Sequence, residues 1–271
     1  ITKVGVAGCG LMGHGITQVS AEAGYDVVAT ESSQDRLDAG INKITKQLGR
    51  AVEKGKIEQS AADEILGRIH PTLDLNDFAD CDLVIEAITE NLDLKLELWK
   101  QLDEIVKDEA YFATNTSSLP VINQAAATTR PTKFPGLHFF NPVQVMPLLE
   151  VIQSVTTSPE AIGAGLAYGA RLKKQTVETK DKAGFIVTRL LVPYLLDGIR
   201  GLEEGIGSID EIDAAMKAGA GHPMGPLTLS DFVGLDTLMS ISNVMFDEFR
   251  ERRFAAPPTL RKMVAAGFYG K

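Results

Sequence analysis

Cysteine is scarce in this chain of 271 residues: Cys9 and Cys81 are too few for a disulfide framework and fit a reducing compartment. Basic residues are also short, with 27 Lys and Arg against 36 Asp and Glu and a formal net charge of −9. That balance argues against nucleic acid or an anionic membrane as a partner, although a local basic patch could still serve an anionic ligand. No apolar run approaches the roughly 20 residues that cross a bilayer. Internal repeats and low-complexity tracts are missing. So is the charged segment with an apolar stretch that marks a secretory leader, and Ile1 in place of an initiator Met points to a trimmed or partial chain. A hydrophobic fraction of 44% supplies a sizeable core. The expectation is an acidic, globular, cytoplasmic protein of one large or two unequal domains.

The first two-thirds alternates strand-like and helix-like segments. Strands are expected at Lys3–Gly8, Asp26–Glu31, Asp82–Ala87 and Tyr111–Asn115, with helices at Met12–Gly24, Leu37–Lys54 and Leu92–Val106. Such alternation predicts a parallel sheet covered by helices on both faces. Two more strand-like runs, Leu148–Ile152 and Thr176–Thr179, precede a change of style near Lys182. Beyond it, Phe185–Glu204, Ile209–Lys217, Thr237–Arg250 and Leu260–Ala266 carry helical periodicity, and Pro193 predicts a kink in the first of these. The Gly219–Pro226 cluster reads as a structured turn between helices. Residues 1–182 are therefore expected to form an α/β domain and 183–271 a smaller all-α domain. Helices this apolar are either wrapped by their neighbours or buried in a homodimer.

Gly8-Cys9-Gly10-Leu11-Met12-Gly13 matches G-x-G-x-x-G in its required context, with a strand before it and a helix after it. Gly8 permits the tight turn, Gly10 lets a pyrophosphate approach the backbone, and Gly13 allows close helix–strand packing. The helix start, with Leu11 and Met12 leading into it, offers unpaired N–H groups to phosphates. Glu31, 18 residues past Gly13 at the end of the next strand, is placed to accept hydrogen bonds from a ribose and to repel a 2′-phosphate. The cofactor expected is NAD, on a Rossmann-type doubly wound, mostly parallel sheet; Arg36 nearby leaves NADP open. The bland alternative is a glycine turn in a nucleotide-free sheet.

Of four histidines, His14 is expected to face phosphate or solvent, His70 to lie in a short polar strand, and His222 to pack or cap in the Gly/Pro turn. His138 differs. It lies in a strand-like run, Gly136–Phe140, broken by Asn141-Pro142, and a second apolar run carries Glu150. The connection is too short for a parallel crossover, so the two runs should pair antiparallel. Folding the chain about Gln144 sets His138 opposite Glu150, six residues to either side. A carboxylate on an imidazole fixes its tautomer and orientation and favours its charged form. Beside a nucleotide site such a pair suits alcohol oxidation, in which a base takes the hydroxyl proton as hydride leaves the carbon. A structural hairpin with a buried His–Glu pair is the alternative.

The motifs GCGLMGHG, VIEAITENLDLK (84–95), TNTSSL (114–119), GLHFFNPVQVMPLLEVI (136–152), GFIVTRLLVPYL (184–195) and GAGHPMGPLTLSDFVGLD (219–236) span nearly the whole chain in order. Together they resemble the L-3-hydroxyacyl-CoA dehydrogenase family, and within it the bacterial 3-hydroxybutyryl-CoA branch. The resemblance implies an NAD-dependent oxidoreductase, without a metal, acting on a short-chain (S)-3-hydroxyacyl-CoA in fatty-acid oxidation or butanoate metabolism. It gives His138 as acid/base with Glu150 as partner, Ser117 as the group that bonds the reacting 3-oxygen, and Asn141 beside the nicotinamide. Glu90 and Lys95 become cofactor contacts, Glu31 a ribose contact, and Lys54 and Lys56 candidates for holding the CoA moiety. From the residues alone, Ser117 could equally be an N-cap or a turn residue, and Lys95, Lys54 and Lys56 solvated lysines.

Two departures stand out. The family helix motif reads G-F-I-V-N-R, with its asparagine at the thioester end of the substrate, whereas this chain has Thr188, shorter and without the two-ended amide. One lost polar contact in a site that excludes water costs roughly 1–3 kcal/mol, about one to two decades in rate or affinity. Thr188 read alone is an ordinary helix-surface residue. The family also continues past Gly267–Lys271 into a further glycine-aromatic segment, and Lys271 would lie near the cofactor in a longer chain. Besides the acyl-CoA dehydrogenase, two readings stay open: a CoA-independent 3-hydroxyacid dehydrogenase, and a catalytically weakened NAD-binding homologue.

Overall fold

The structure, a computed structural model, describes residues 1–270; Lys271 and the expectation attached to it lie outside the described residues. The chain divides into two compact units, Ile1–Asp181 and Lys182 onward.

The first unit runs β1 (Lys3–Ala7), α1 (Gly13–Glu22), β2 (Asp26–Thr30), α2 (Gln34–Glu53), α3 (Gln59–Gly67) and β3 (Ile69–Thr72). It continues with β4 (Leu83–Glu86), α4 (Leu92–Ile105), β5 (Tyr111–Thr114), α5 (Val121–Ala125), β6 (Gly136–Phe139), β7 (Leu148–Gln153), α6 (Pro159–Arg171) and β8 (Gln175–Lys180). Among the described residues these strands form one sheet in the order β3-β2-β1-β4-β5-β6-β7-β8. Neighbours are parallel except β6 and β7. Strand order reverses at β1, flanked by β2 and β4, which opens a crevice at the carboxyl ends of those strands where doubly wound sheets take ligands.

Alternation of side chains along the strands divides the core between two faces. On one face α1, α2 and α6 bury Ile16, Ile44 and Ile162 in a cluster with Val6, Ile85, Ala113 and Val151. The residue beside Ala113, Phe112, points the other way and stacks on Trp99 of α4, with ring centroids 4.9 Å apart. Helix α6 has no counterpart in the sequence reading because three glycines interrupt its apolar pattern. A Cβ at Gly169 would come within 2.4 Å of the Thr176 methyl, so the glycine lets the helix lie directly on β7 and β8.

The second unit is helical: α7 (Val187–Glu204), α8 (Ile209–Ala220), α9 (Pro226–Val233), α10 (Leu235–Phe249) and α11 (Pro258–Ala265). α7 runs through Pro193 as one helix. Val192, Leu196, Leu238, Met245, Phe254 and Leu260 meet in its core. The Gly/Pro turn between α8 and α9 is organised by Asp213, whose carboxylate accepts from the backbone N–H of Leu227 and Thr228, both at 2.8 Å. Among the described residues, no helix is long and apolar enough to cross a membrane.

Candidate active site

The glycine loop joins β1 to α1 under tight steric constraint. Gly8 has φ +98°, and a Cβ there would lie 2.7 Å from the Ala87 carbonyl oxygen. A Cβ at Gly13 would sit 1.6 Å from the Gly8 carbonyl oxygen, so only glycine lets the helix start this close to the strand. Among the described residues no side chain caps α1 and no acid lies in its first turn, which leaves its N–H groups to an anion. Leu11 is exposed beside the loop and Met12 packs inward on the core. Half-buried Glu31 sets Oε1 3.4 Å from the position a Gly10 Cβ would take, while Oε2 accepts from the N–H and hydroxyl of Ser32 at 2.8 and 3.2 Å. Arg36 donates to that same Ser32 hydroxyl at 3.3 Å. An open helix start beside a glycine cradle with a carboxylate at its rim fits the pyrophosphate and ribose diol of NAD.

His14 does not face solvent: it is buried, with Nδ1 2.7 Å from the Gly10 carbonyl oxygen one helical turn back. Burial, the largest influence, holds its pKa below the ordinary value. The imidazole buries its apolar body while the carbonyl at the helix start satisfies its nitrogen, a contact that position relative to the glycines alone does not reveal.

Next along the sheet edge lies a cluster of charge. Glu86, at the end of β4, is fully buried; its Oε1 accepts from the Lys95 ammonium at 2.5 Å and the Ile88 N–H at 2.7 Å, and its Oε2 from the Thr114 hydroxyl at 2.7 Å. Lys95 is 1% exposed, so the solvated-lysine reading is wrong; its ammonium also lies 3.3 Å from Glu90 Oε2. Glu90 Oε1 in turn accepts from the Thr116 hydroxyl and from the N–H groups of Ser117 at 3.1 Å and Ser118 at 3.3 Å. Burial raises the pKa of Glu86 despite Lys95 and its hydrogen bonds. For Glu90 burial also pushes upward, but Lys95, Thr116 and the Ser117 N–H outweigh it and hold the carboxyl below the usual range.

Ser117, half-buried, follows β5. It does not cap α5, because Asp181 accepts from the N–H groups of Val121 and Ile122 at 3.0 and 2.8 Å. Nor does it close the turn, which Thr116 does by accepting from Leu119 at 3.0 Å. Its hydroxyl engages no other described residue.

His138 and Glu150 are direct cross-strand partners of β6 and β7, in the antiparallel register that folding about Gln144 predicts. Both are buried, and His138 Nδ1 lies 2.7 Å from Glu150 Oε2. Asn115 ties this hairpin to the Ser117 turn by accepting the Phe139 N–H at 2.9 Å. The hairpin loop is pinned to α1, where a Cβ on Gly15 would stand 2.7 Å from Val143 and Gln144 donates to Gln18 at 3.1 Å. Lys174 holds the same loop from below through the carbonyls of Val143 and Met146, at 2.5 and 2.7 Å. Asn141 is exposed two residues past the end of β6. The first unit therefore gathers the glycine loop, Glu31, the Ser117 turn and the His–Glu pair along one edge of its sheet. Glu86, Asn115 and Thr116 went unnoticed in the sequence; the one available signal is a carboxylate inside the apolar strand run VIEA.

Outside this edge, Lys54 and Lys56 are exposed where α2 ends. Thr188 is half-buried in the first turn of α7, in the second unit. His70 is exposed on edge strand β3, and His222 packs its ring on Tyr194 with centroids 5.0 Å apart.

Comparison with known proteins bears directly on this arrangement. Residues 3–182 match the NAD binding domain of 3-hydroxyacyl-CoA dehydrogenase and residues 184–271 its C-terminal domain. A 3-hydroxybutyryl-CoA dehydrogenase from Mycobacterium tuberculosis is 47% identical over 273 residues, covering 100% of this chain and 96% of that protein. The crystal structure of (S)-3-hydroxybutyryl-CoA dehydrogenase from Ralstonia eutropha superposes with a TM-score of 0.97 at 39% identity, covering 100% and 96% of the two chains. A diketoreductase structure, titled for dual catalysis of dicarbonyl compounds, matches at TM-score 0.85 and 33% identity over 100% and 95%. With an NAD-binding unit, a helical second unit and full-length likeness of this order, the chain belongs to the 3-hydroxyacyl-CoA dehydrogenase family of NAD-dependent oxidoreductases.

Proposed function

We propose that this chain catalyses reversible hydride transfer between NAD(H) and C3 of a short-chain (S)-3-hydroxyacyl-CoA, with 3-hydroxybutyryl-CoA and acetoacetyl-CoA as the substrate pair. The observation that carries the reading is the buried His138–Glu150 pair at 2.7 Å, on the sheet edge that bears the glycine loop. The substrate follows from the names of the Mycobacterium and Ralstonia relatives.

NAD⁺, when bound, accepts the hydride. Gly8, Gly10, Leu11, Met12 and Gly13 would hold its pyrophosphate at the start of α1, Glu31 its ribose, and Asn141 would lie beside its nicotinamide. Glu90 and Lys95 border that side of the site. Nδ1–H of His138 points to the Glu150 carboxylate, which makes Nε2 the basic nitrogen that takes the hydroxyl proton. Glu150 stabilises the positive charge that develops on the ring. Ser117 donates to the reacting oxygen, Thr188 contacts the thioester end, and Lys54 and Lys56 attract the CoA phosphates. The second unit exposes Ile206, Ile209, Phe232 and Phe268, which supports a homodimer formed through it; a monomer at micromolar concentration in sedimentation would refute that. Two free, buried cysteines accord with a cytoplasmic enzyme.

Two observations favour other readings. The likeness to a diketoreductase, whose title names dicarbonyl compounds, keeps a CoA-independent 3-hydroxyacid dehydrogenase as the second reading. Thr188 in place of asparagine supports a weakened homologue. Following NADH absorbance with acetoacetyl-CoA for the chain beside its Thr188→Asn variant separates all three. Brisk turnover in both supports the acyl-CoA reading, and turnover only in the variant makes this chain the weakened form. Silence in both with NADH still bound overturns the acyl-CoA assignment and directs attention to free hydroxyacids.

A further inference from the structure

An ammonium and a carboxylate buried together return little net stability, because desolvation offsets their attraction. An apolar pair filling the same space at Glu86 and Lys95 would hold the sheet as well. The charges accomplish something else. Lys95, 2.5 Å from Glu86 and 3.3 Å from Glu90, is shared between two carboxylates, and Glu90 is the acceptor on which the N–H groups of Ser117 and Ser118 rest. Thr114, whose hydroxyl fixes the far oxygen of Glu86, is the last residue of β5 and leads into that same turn. Without the charge on Glu86, the attraction of the ammonium falls chiefly on Glu90, the acceptor that holds the turn.

We propose that Glu86 is a positioning residue for the reaction, acting through Lys95 and Glu90 to set the backbone of the Ser117 turn and so the direction of the Ser117 hydroxyl. The inference rests on the proposed role of Ser117 at the reacting oxygen. It assigns work to a fully buried side chain held by Ile88, Lys95 and Thr114.

A double-mutant cycle on the full chain tests it, with Glu86→Gln, Ser117→Ala and the pair assayed with acetoacetyl-CoA and NADH. Glu86→Gln is expected to lower kcat about tenfold, and to lower it by less than about twofold once Ser117 is alanine, because coupled residues are non-additive. In the cofactor-free protein, amide hydrogen exchange at Ser117 and Ser118 should quicken in Glu86→Gln while exchange in the second unit stays unchanged. A merely structural carboxylate predicts the reverse: a lowered melting temperature, unchanged local exchange, and the same fractional loss of kcat in both backgrounds. That result overturns the proposal. Should Glu86→Gln fail to fold, Thr114→Val removes one donor to Glu86 at nearly constant volume and enters the same cycle. If Ser117→Ala alone leaves kcat unchanged, the role of Ser117 itself falls, an outcome distinct from additivity in the cycle.

Discussion

His138 Nδ1 lies 2.7 Å from Glu150 Oε2, between residues that face each other directly across β6 and β7. Because the contact is made by two strands and not by a loop, the sheet register fixes the backbone positions from which the two side chains meet. Glu150→Gln keeps the volume but removes the charge that steadies a protonated ring. If His138 is the acid/base, kcat falls about 10²-fold or more while KM for the acyl substrate moves less than about threefold, as expected for a contribution made in the transition state. Steady-state kinetics on the variant decide it. An unchanged kcat makes the pair a structural one.

The carboxylate of Glu31 stands at the rim of the glycine cradle, near Gly10. Glu31→Gln retains an acceptor for a ribose hydroxyl but no longer repels a 2′-phosphate. NADH affinity should weaken several-fold and the preference over NADPH should drop by about tenfold, the loss of one charge-assisted hydrogen bond. Fluorescence titration with each nucleotide measures both. Equal loss toward the two would remove Glu31 from cofactor selection.

Gly13 allows no side chain at all, since a Cβ would lie 1.6 Å from the Gly8 carbonyl oxygen. Gly13→Ala therefore forces α1 away from β1. The expected cost exceeds the 1–3 kcal/mol of ordinary overpacking, roughly several degrees of melting temperature for a chain of this size. The stabilisation that added NADH gives the wild-type protein should shrink as well. Melting curves with and without nucleotide test both parts.

These sites were unequally legible in the sequence. The register that opposes His138 to Glu150 could be read because a short connection permits only antiparallel pairing, and the side-chain alternation of strands fixes the rest. The glycine loop could be read because its steric demands leave one residue type. The Glu86 cluster could not. Its partners are nine and 28 residues away on different elements, and a lone glutamate in an apolar run carries no local periodicity. Lys95 has helical spacing that suits a solvated face, and only the position of α4 against β4 buries it. The burial of His14 is hidden for the same reason: distance from the glycines says nothing about which way the first helical turn points.

Asp82 gives a pH test that is independent of catalysis. Just before β4, it accepts from the N–H and hydroxyl of Thr2 at 2.6 and 2.7 Å and from Lys107 at 2.6 Å, and so fastens the start of β1 to the sheet. Burial pushes its carboxyl up, but the Lys107 ammonium and the Thr2 and Lys3 donors outweigh burial and hold it well below the usual carboxylate range. A pKa depressed by folding stabilises the native state above the ordinary carboxylate value, near 4, and that contribution is lost as pH falls through the folded value. Asp82 should therefore supply on the order of 2 kcal/mol at pH 7 and progressively less in strong acid. Urea unfolding of the wild type and Asp82→Asn across pH 7 to pH 3 measures this. The two curves should converge toward the acid end, whereas a constant gap between them would show that Asp82 contributes through packing and not through its charge.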